Sequence, residues 1–418
     1  MDDPSFEQIP PASYWQTTAR RSGVQPADLP TSVDVAVVGG GLLGTAATYW
    51  LARLGARVAL LEAHTLAAGA TGRNGGFMVA GTAEAYPTAI ARHGHAVAHA
   101  VWSLTLESRT LLRNVLAEEA IACDYREPGL LHLALGDAQR EHLAQTVAAL
   151  HADGFAGELL DRQQTQDLVG TPLGPEIIGA LFAPEDGLLH SARLVYGLAA
   201  AAARHGALIC EATRVVGLQS GAPDSSPSDA GVTIRTTRGQ VRAKAAIVAI
   251  NAWSDELAPG LAGSITPVRG QVLAYAPSAP VFRCGMGAAV TPTGEYWQQT
   301  PDGTIVLGGA RAAAPDAEVG LRALDTTVEV QSAIEQLFPR LFPALRGLQV
   351  AQRWAGLMGF TADGLPIADR APGLPGVWVV GGFCGHGMPF GMRLGQLLAS
   401  AATAGAAPNE LMPFRIDR

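Results

Sequence analysis

Three glycines stand at the spacing Gly39-x-Gly41-x-x-Gly44, directly after a β-branched segment at 33–38. That segment predicts a buried parallel strand, and residues 42–54 predict the helix that follows. In this setting the glycines permit a tight turn, close approach of the backbone to a diphosphate, and close packing of helix on strand. A diphosphate would bind at the amino end of the helix, where free N–H groups and the helix dipole favour anions.

Glu62 ends the next predicted strand, at 57–62. Its carboxylate can accept hydrogen bonds from both hydroxyls of a ribose. The alternative is an ordinary tight turn followed by a surface glutamate. Strand, turn, helix and acidic strand end occur in the order of a dinucleotide-binding βαβ unit, which favours nucleotide binding. The motif alone does not separate NAD from FAD.

Two further glycine-rich segments bear on that choice. Gly69-Ala70-Thr71-Gly72-Arg73-Asn74-Gly75-Gly76 has successive backbone N–H groups that suit a diphosphate or a flavin edge. Gly381-Gly382-Phe383-Cys384-Gly385-His386-Gly387 joins a predicted strand at 377–380 to a predicted helix at 388–402. The positive end of that helix would stabilise the negative charge that a flavin gains on reduction. The alternative for the segment at 69–76 is a flexible linker, and the alternative for the segment at 381–387 is a turn that packs a strand against a helix.

The remaining elements indicate more than one domain, because 418 residues exceed the usual size of one hydrophobic core. Residues 1–31 are aperiodic and predict an arm over the surface. Predicted helices at 97–122 and 137–152 lack strong flanking strands and are interpreted as an inserted cap. The loop at 220–231 predicts a hairpin tip. Further predicted elements are a helix at 194–205 and strands at 207–210, 215–218, 241–250, 295–299 and 304–307.

Composition argues against two classes of partner. The chain is 48% hydrophobic and has a formal net charge of −8. Nucleic acids and anionic membranes attract basic surfaces, so neither is expected as a partner. The chain start lacks the apolar segment of a signal peptide, and no stretch reaches the ~18 apolar residues of a membrane span. We therefore expect a cytoplasmic protein with four reduced cysteines and no metal site.

The glycine-rich blocks together resemble the D-amino-acid oxidase-like family of FAD-dependent oxidoreductases, which includes glycine, sarcosine and γ-glutamylputrescine oxidases. The resemblance spans about residues 31–405 in order. Ser13-Tyr14-Trp15 and the Gly-Arg-Asn-Gly-Gly block look closest to the γ-glutamylputrescine oxidase branch. Other similar blocks are Asp186-Gly187, Thr213-Arg214-Val215, Asn251-Ala252-Trp253-Ser254, Pro267-Val268-Arg269-Gly270-Gln271, Trp354-Ala355-Gly356-Leu357-Met358 and Thr361-Ala362-Asp363-Gly364-Leu365-Pro366.

The resemblance implies an α/β fold, with a Rossmann-like FAD-binding domain interleaved with an α+β substrate domain built on an antiparallel sheet. The FAD-binding domain would comprise residues 32–82, 175–256 and 350–418. The substrate domain would comprise residues 83–174 and 257–349, and substrate would bind on the open flavin face beneath its sheet.

The predicted FAD contacts come from both ends of the chain. Val215 would hold the adenine through its backbone, residues 71–76 would line the diphosphate and isoalloxazine, and residues 382–388 would lie at the pyrimidine edge. The predicted cofactor-binding residues are Gly39, Gly41, Leu42, Leu43, Gly44, Glu62, Ala63, Thr71, Gly72, Arg73, Asn74, Gly75, Gly76, Val215, Asn251, Trp253, Gly356, Gly382, Phe383, Gly385, His386, Gly387 and Met388.

Departures from the family pattern shape the predicted chemistry. Gly356 replaces the cysteine that carries a covalent flavin, so noncovalent FAD is expected, and Cys384 is interpreted as a small buried residue. Met358 and Pro389 replace the cations that bind a substrate carboxylate. A buried carboxylate without a cation is costly, so simple α-amino acids rank below other amines. Arg311 is an alternative clamp, although a solvated strand-end charge is the favoured interpretation.

The hypothesised reaction is hydride transfer from the carbon beside an amine nitrogen to flavin N5, followed by imine hydrolysis and reoxidation by O₂. The amine is primary or secondary, with γ-glutamyl and N-alkyl amines as candidates. Val306 replaces a lysine that speeds the reaction with O₂ in some relatives, and Lys244, the only lysine, is a poor substitute. A dehydrogenase using a quinone or protein acceptor is therefore the alternative.

The same sequence admits other hypotheses. A non-catalytic subunit is disfavoured by the intact cofactor motifs, and action on a tRNA-linked group is disfavoured by the acidic charge. Candidate substrate-pocket residues, each also compatible with an ordinary core or structural role, are Phe77, Tyr296, Trp297, Met358 and His386.

Overall fold

The structure, a computed structural model, describes residues 12–20, 24, 26–221 and 231–418. Within these residues the helices are α1 (Tyr14–Thr18), α2 (Leu42–Arg53), α3 (Tyr86–His93), α4 (His95–Glu118), α5 (Asp137–Ala152), α6 (Arg162–Asp167), α7 (Ser191–Arg204), α8 (Ser254–Leu257), α9 (Val328–Leu341) and α10 (Gly391–Ala404).

The strands in the same ranges belong to two large sheets and one small pair. They are β1 (Ser32–Val38), β2 (Val58–Leu61), β3 (Phe77–Met78), β4 (Leu130–Ala134), β5 (Glu158–Asp161), β6 (Gly179–Ala183), β7 (Gly187–Leu188), β8 (Leu208–Cys210), β9 (Val215–Ser220), β10 (Val232–Thr236), β11 (Gly239–Val248), β12 (Thr266–Tyr275), β13 (Gly285–Ala288), β14 (Glu295–Gln299), β15 (Ile305–Gly309), β16 (Val350–Phe360), β17 (Ile367–Arg370) and β18 (Val377–Gly381). Most of the predicted 220–231 loop lies outside the described residues.

The first sheet has a parallel centre in the order β18-β11-β1-β2-β8, with β17 antiparallel at one edge. Its central strands are almost wholly apolar, because helices cover the sheet and leave little surface for water. α2 packs between α7 and α10 on this sheet. The β1–α2–β2 unit is the predicted dinucleotide-binding unit, so the Rossmann-like part of the predicted fold is confirmed.

The second sheet runs in the order β16-β12-β15-β14-β13-β4-β6-β5 and is antiparallel except between β13 and β4. The predicted α+β architecture with an antiparallel sheet is therefore confirmed. The segment interpreted as an inserted cap is not purely helical, because β4 and β5 flank α5 and extend this sheet. β6 and β16 also belong to the second sheet, although the predicted division placed 175–256 and 350–418 with the first.

The described part of the predicted amino-terminal arm contains a docked helix, α1, so the arm prediction is wrong there, and residues 1–11 lie outside the described residues. Ser13 caps α1 in a capping box with Gln16, and Trp15 is 1% exposed. The Trp15 indole N–H donates to the carbonyl of Asn74 at 2.6 Å, and the Ser13 hydroxyl donates to the carbonyl of Gly72. α1 is therefore held against the predicted cofactor segment. A helix of five residues is too short to show a hydrophobic period, so the sequence pattern did not reveal it.

Truncation of Trp15 tests how firmly this helix is docked. We expect Trp15→Ala to lower the free energy of unfolding by about 3 kcal/mol, because a large buried ring and its hydrogen bond are both lost. Trp15→Phe keeps most of the packing and should cost about 1 kcal/mol, the contribution of the lost N–H donor. Urea unfolding measures both effects, and equal stability of Trp15→Ala and wild type would contradict docking of α1.

Candidate active site

A cavity of about 1190 Å³ lies between the first sheet and the second. It exceeds the volume of roughly 300–1,000 Å³ that is usual for small-molecule sites, as a dinucleotide together with a substrate requires. The predicted cofactor residues that line it are Gly41, Leu42, Leu43, Thr71, Arg73, Asn74, Gly75, Asn251, Gly356, Phe383, Gly385, His386, Gly387 and Met388. Those outside its lining are Gly39, Gly44, Glu62, Ala63, Gly72, Gly76, Val215, Trp253 and Gly382.

The glycine turn shapes one end of this cavity. Gly39 has a φ of +111°, and a Cβ on Gly44 would stand 1.9 Å from the Gly39 carbonyl oxygen. These two glycines therefore serve close packing of turn and helix. Gly41 caps α2 without a side-chain oxygen. Counting described residues alone, Leu42 is the one residue in the first turn of α2 whose N–H is bonded to a side chain, the hydroxyl of Thr71 at 3.1 Å. The start of α2 can therefore present backbone donors to a diphosphate.

Glu62 lies beside this turn. Its carboxylate accepts hydrogen bonds from the N–H of Gly40 at 2.6 Å and of His64 at 2.8 Å. Burial raises the pKa of Glu62, and these two N–H donors oppose that rise. Each carboxylate oxygen keeps lone pairs beyond the one already used, so the group can also accept from ribose hydroxyls. The Thr213 N–H donates to the Glu62 carbonyl, which brings the segment before Val215 to the same place.

Arg73 joins the second glycine segment to the second sheet. Its guanidinium donates to the carbonyls of Ala68 and Ala355, and the Trp354 indole N–H donates to the Arg73 carbonyl at 2.9 Å. A Cβ on Gly356 would stand 3.0 Å from the Arg73 Cβ, so this glycine allows the segment to pass closely over β16. The segment is therefore a fixed cradle, and the flexible-linker alternative is wrong.

The third glycine segment forms the far end of the cavity. Cys384 is buried at φ +51°, its N–H donates to the Gly359 carbonyl, and its sulfur accepts from the Thr361 N–H. A structural role for Cys384 follows from these contacts. α10 begins at Gly391, three residues later than predicted, because residues 388–390 form a turn. The His386 ring lines the cavity and has no hydrogen-bond partner within the described part of the chain.

The second sheet supplies the opposite wall. Tyr296 and Met358 line the cavity, and Phe77 meets Tyr296 edge to face at 5.8 Å. Trp297 was predicted for the same wall, and that prediction is wrong. Successive strand residues point to opposite faces, so Trp297 turns away and packs against Phe338 of α9.

Arg311 is a cavity residue, contrary to its interpretation as a solvated strand-end charge. Its guanidinium lies 5.0 Å from the centroid of the Phe360 ring and donates to the Ala317 carbonyl at 3.2 Å. No carboxylate among the described residues pairs with it. Burial lowers the pKa of Arg311, and burial raises the pKa of Tyr296 to about 12 against the opposing charge of Arg311. The site therefore holds a half-buried cation with capacity for an anion.

His132 also faces the cavity and was missed by the sequence analysis. It stands at the centre of β4, where all four other residues are buried apolar side chains. His132 lines the cavity, and desolvation by the surrounding protein lowers the pKa of His132 to about 4. A single polar residue inside an apolar strand is the signal that could have revealed it.

Asp186 and Arg109 close the edge of the cavity near β7. The Asp186 carboxylate accepts from Arg109 at 3.2 Å and from the Ala80 N–H at 3.0 Å. Burial raises the pKa of Asp186 to about 7. The Asp186–Arg109 pair holds the chain after β3 against α4. Asp186 therefore has a structural role in the cavity wall.

Comparison with known proteins identifies the type of site. The family model described as FAD-dependent oxidoreductase (DAO) matches residues 34–401. The chain belongs to the DAO family. The resemblance inferred from the glycine-rich blocks is thereby confirmed, and FAD is the cofactor of this DAO chain.

Similarity extends over nearly the whole DAO chain. It is 26% identical to an opine oxidase subunit of Agrobacterium tumefaciens over 395 residues, 92% of this chain and 97% of that protein. It is 28% identical to γ-glutamylputrescine oxidoreductase of Escherichia coli over 378 residues, 88% of this chain and 82% of that protein. The structure of glycine oxidase from Geobacillus kaustophilus superposes with a TM-score of 0.79 at 25% identity, covering 93% of this chain and 99% of that one.

The chemistry of the residues at and beside the cavity fits FAD. The uncapped start of α2 and the cradle at 69–76 line the cavity and would offer backbone N–H groups to a diphosphate. The Glu62 carboxylate, which lies outside the lining but is bonded to the glycine turn, would accept from ribose hydroxyls. A Cβ on Gly75 would stand 2.7 Å from the Tyr296 ring, so glycine is needed where the cradle meets the second sheet. Over the described ranges, no helix is long and apolar enough to cross a bilayer, and no cluster of three or more His, Cys, Asp or Glu side chains could hold a metal.

Replacement of Glu62 tests the ribose site. We expect Glu62→Gln to raise the FAD dissociation constant at least tenfold, because one of two charge-assisted hydrogen bonds is lost. Fluorescence titration of the FAD-free protein with FAD measures the constant, and Glu158→Gln, an exposed change on β5, is the control. An unchanged constant for Glu62→Gln would show that its carboxylate does not contact the cofactor.

Proposed function

We propose that this DAO protein oxidises a C–N bond of a primary or secondary amine whose carboxylate binds Arg311. The observation that carries the proposal is the half-buried Arg311 guanidinium, which lines the cavity without a carboxylate partner among the described residues. The names of the relatives, opine oxidase, γ-glutamylputrescine oxidoreductase and glycine oxidase, agree with an amine or amino acid as substrate. Arg311 would replace the family cations absent at Met358 and Pro389.

The side chains of the site would bind and orient this substrate. A guanidinium binds a carboxylate through charge-assisted hydrogen bonds, and the Arg311 guanidinium lies over the ring of Phe360. Tyr296 and Met358 exclude water around the amine, which favours its neutral, oxidisable form. The chemistry that FAD supplies when bound is acceptance of a hydride from the carbon beside nitrogen. Water then hydrolyses the imine product to a carbonyl compound and an amine.

The proposed electron acceptor is O₂, which would take up two electrons and two protons to give hydrogen peroxide. A specific observation favours a dehydrogenase as the second candidate. Val306 is fully buried in a core cluster that includes Val272 and Trp354. The family resemblance assigns this position to the oxygen-activating lysine, and here the side chain is apolar. Lys244 pairs with Asp34 on β1 and has an 80% exposed side chain, so it cannot serve instead.

Reoxidation kinetics separate the two candidates. After anaerobic reduction by substrate, an oxidase would regain its flavin absorbance rapidly on mixing with O₂ in a stopped-flow instrument. Negligible recovery with O₂, together with rapid recovery with a soluble quinone, would establish the dehydrogenase.

Substitution of Arg311 tests the carboxylate site. We expect Arg311→Met to raise KM for a carboxylate-bearing amine about 10- to 100-fold, the usual effect of losing hydrogen bonds to a charged group. Anaerobic flavin bleaching at varied substrate concentration gives the value. Arg346→Met, on the exposed surface, is the matched control. An equal loss for amines with and without a carboxylate would exclude carboxylate binding by Arg311.

The pH dependence should follow the substrate. Desolvation in the cavity lowers the pKa of both His132 and His386 to about 4, below the range from pH 6 to 9. We expect kcat/KM to rise with pH until the substrate amine is deprotonated, because the reacting nitrogen must be neutral. Two substrates with different amine pKa values should give profiles displaced by that difference. Profiles with a common midpoint would assign the titration to the protein.

A further inference from the structure

A row of side chains crosses the cavity face of the second sheet. Strand pairing places Gly308 opposite Tyr296, Tyr296 opposite Gly287, and Gly287 opposite His132. Residues that pair directly across strands project from the same face. Tyr296 and His132 therefore stand on one face, with a glycine between them.

The glycine leaves a depression in that face. Gly287 lines the cavity, and a Cβ there would be in ordinary van der Waals contact with the His132 ring at 3.4 Å and with a Glu295 backbone oxygen at 3.6 Å. The missing side chain therefore leaves a depression beside His132. Tyr296 does not fill this space, because its hydroxyl lies over Gly308, 2.5 Å from where a Cβ would be. The depression therefore runs from the side of the Tyr296 ring to His132.

The His132 ring at the end of this depression has free hydrogen-bonding capacity. Among the described residues no side chain or backbone group bonds to it. The nearby Glu295 carboxylate is engaged by the N–H groups of Val290 and Thr291. His386, on the opposite wall, lies close enough for its protonation to be opposed by His132. A neutral imidazole offers one donor and one acceptor, which suits a carbonyl, amide or carboxylate.

We propose that His132 is a specificity-determining residue that hydrogen-bonds the distal polar group of an elongated substrate lying across Gly287. The ligand class is an amine with a chain of several atoms that ends in a carbonyl or carboxylate oxygen. Strands in a sheet lie ~4.8 Å apart, so β14 and β4 are about 10 Å apart, which sets this length. The inference rests on the proposed function for the reacting amine of the substrate. It adds the chemical class of the group at the other end of the substrate.

Three secondary amines test the proposal with the holoenzyme. N-Methylglycine, N-butylglycine and N-(3-carboxypropyl)glycine share the reacting end, and the last two differ only in the distal carboxylate. We expect the wild type to favour the carboxypropyl compound over the butyl compound about tenfold in KM, as for one hydrogen bond to a charged group. His132→Leu preserves the bulk of the side chain and should reduce this preference to less than twofold.

Two further variants separate binding by His132 from a structural effect. His93→Leu changes a histidine outside the cavity and should keep the tenfold preference. Gly287→Val fills the depression with His132 intact and should weaken both long substrates about tenfold relative to N-methylglycine. A His132→Leu enzyme that keeps the preference, or a wild type that shows none, would overturn the proposal.

Binding to the oxidised enzyme distinguishes this inference from the proposed reaction. Titration with each compound is followed by the change in flavin absorbance. Binding with a His132-dependent preference but without anaerobic bleaching would support the inference and exclude amine oxidation of these compounds. Binding of none of the three would overturn both.

Discussion

The contact between the 69–76 cradle and β16 fixes how the two sheets face each other. It consists of reciprocal hydrogen bonds, in which the Arg73 guanidinium donates to the Ala355 carbonyl and the Trp354 indole donates to the Arg73 carbonyl. These groups are buried, and a buried donor or acceptor without a partner costs about 1–3 kcal/mol. The orientation of the sheets at this contact is therefore strongly determined, and the cavity lies between the two sheets that it joins.

The first sheet could be predicted well because its signals are local. The β1–α2–β2 unit combines an apolar strand, a glycine spacing and an acidic strand end within about thirty residues. The second sheet joins strands that are distant in sequence, such as β4 and β13, and its short strands carry little pattern of their own. The fold of the cofactor half and the identity of the cofactor were therefore predictable, whereas the side chains of the substrate half were not.

Three residues show the physical reasons for the errors. Trp297 and Tyr296 are adjacent and chemically alike, and only the phase of the strand decides which one faces the cavity. Arg311 follows a strand end, where solvent exposure is usual, but the Phe360 ring and the chain to Ala317 enclose it. His132 is the only polar side chain of β4. Its proposed role in the cavity depends on Gly287, in a strand more than 150 residues later in the sequence.

The docking of α1 has a consequence for the order of assembly. Ser13 and Trp15 bind the carbonyls of Gly72 and Asn74, and the Tyr14 hydroxyl donates to Asp302 of the second sheet's β14–β15 turn. α1 therefore has partners that are synthesised about 60 and almost 290 residues after it. During translation α1 cannot dock until these partners have been synthesised. Docking of α1 would therefore be among the last steps that join the two sheets.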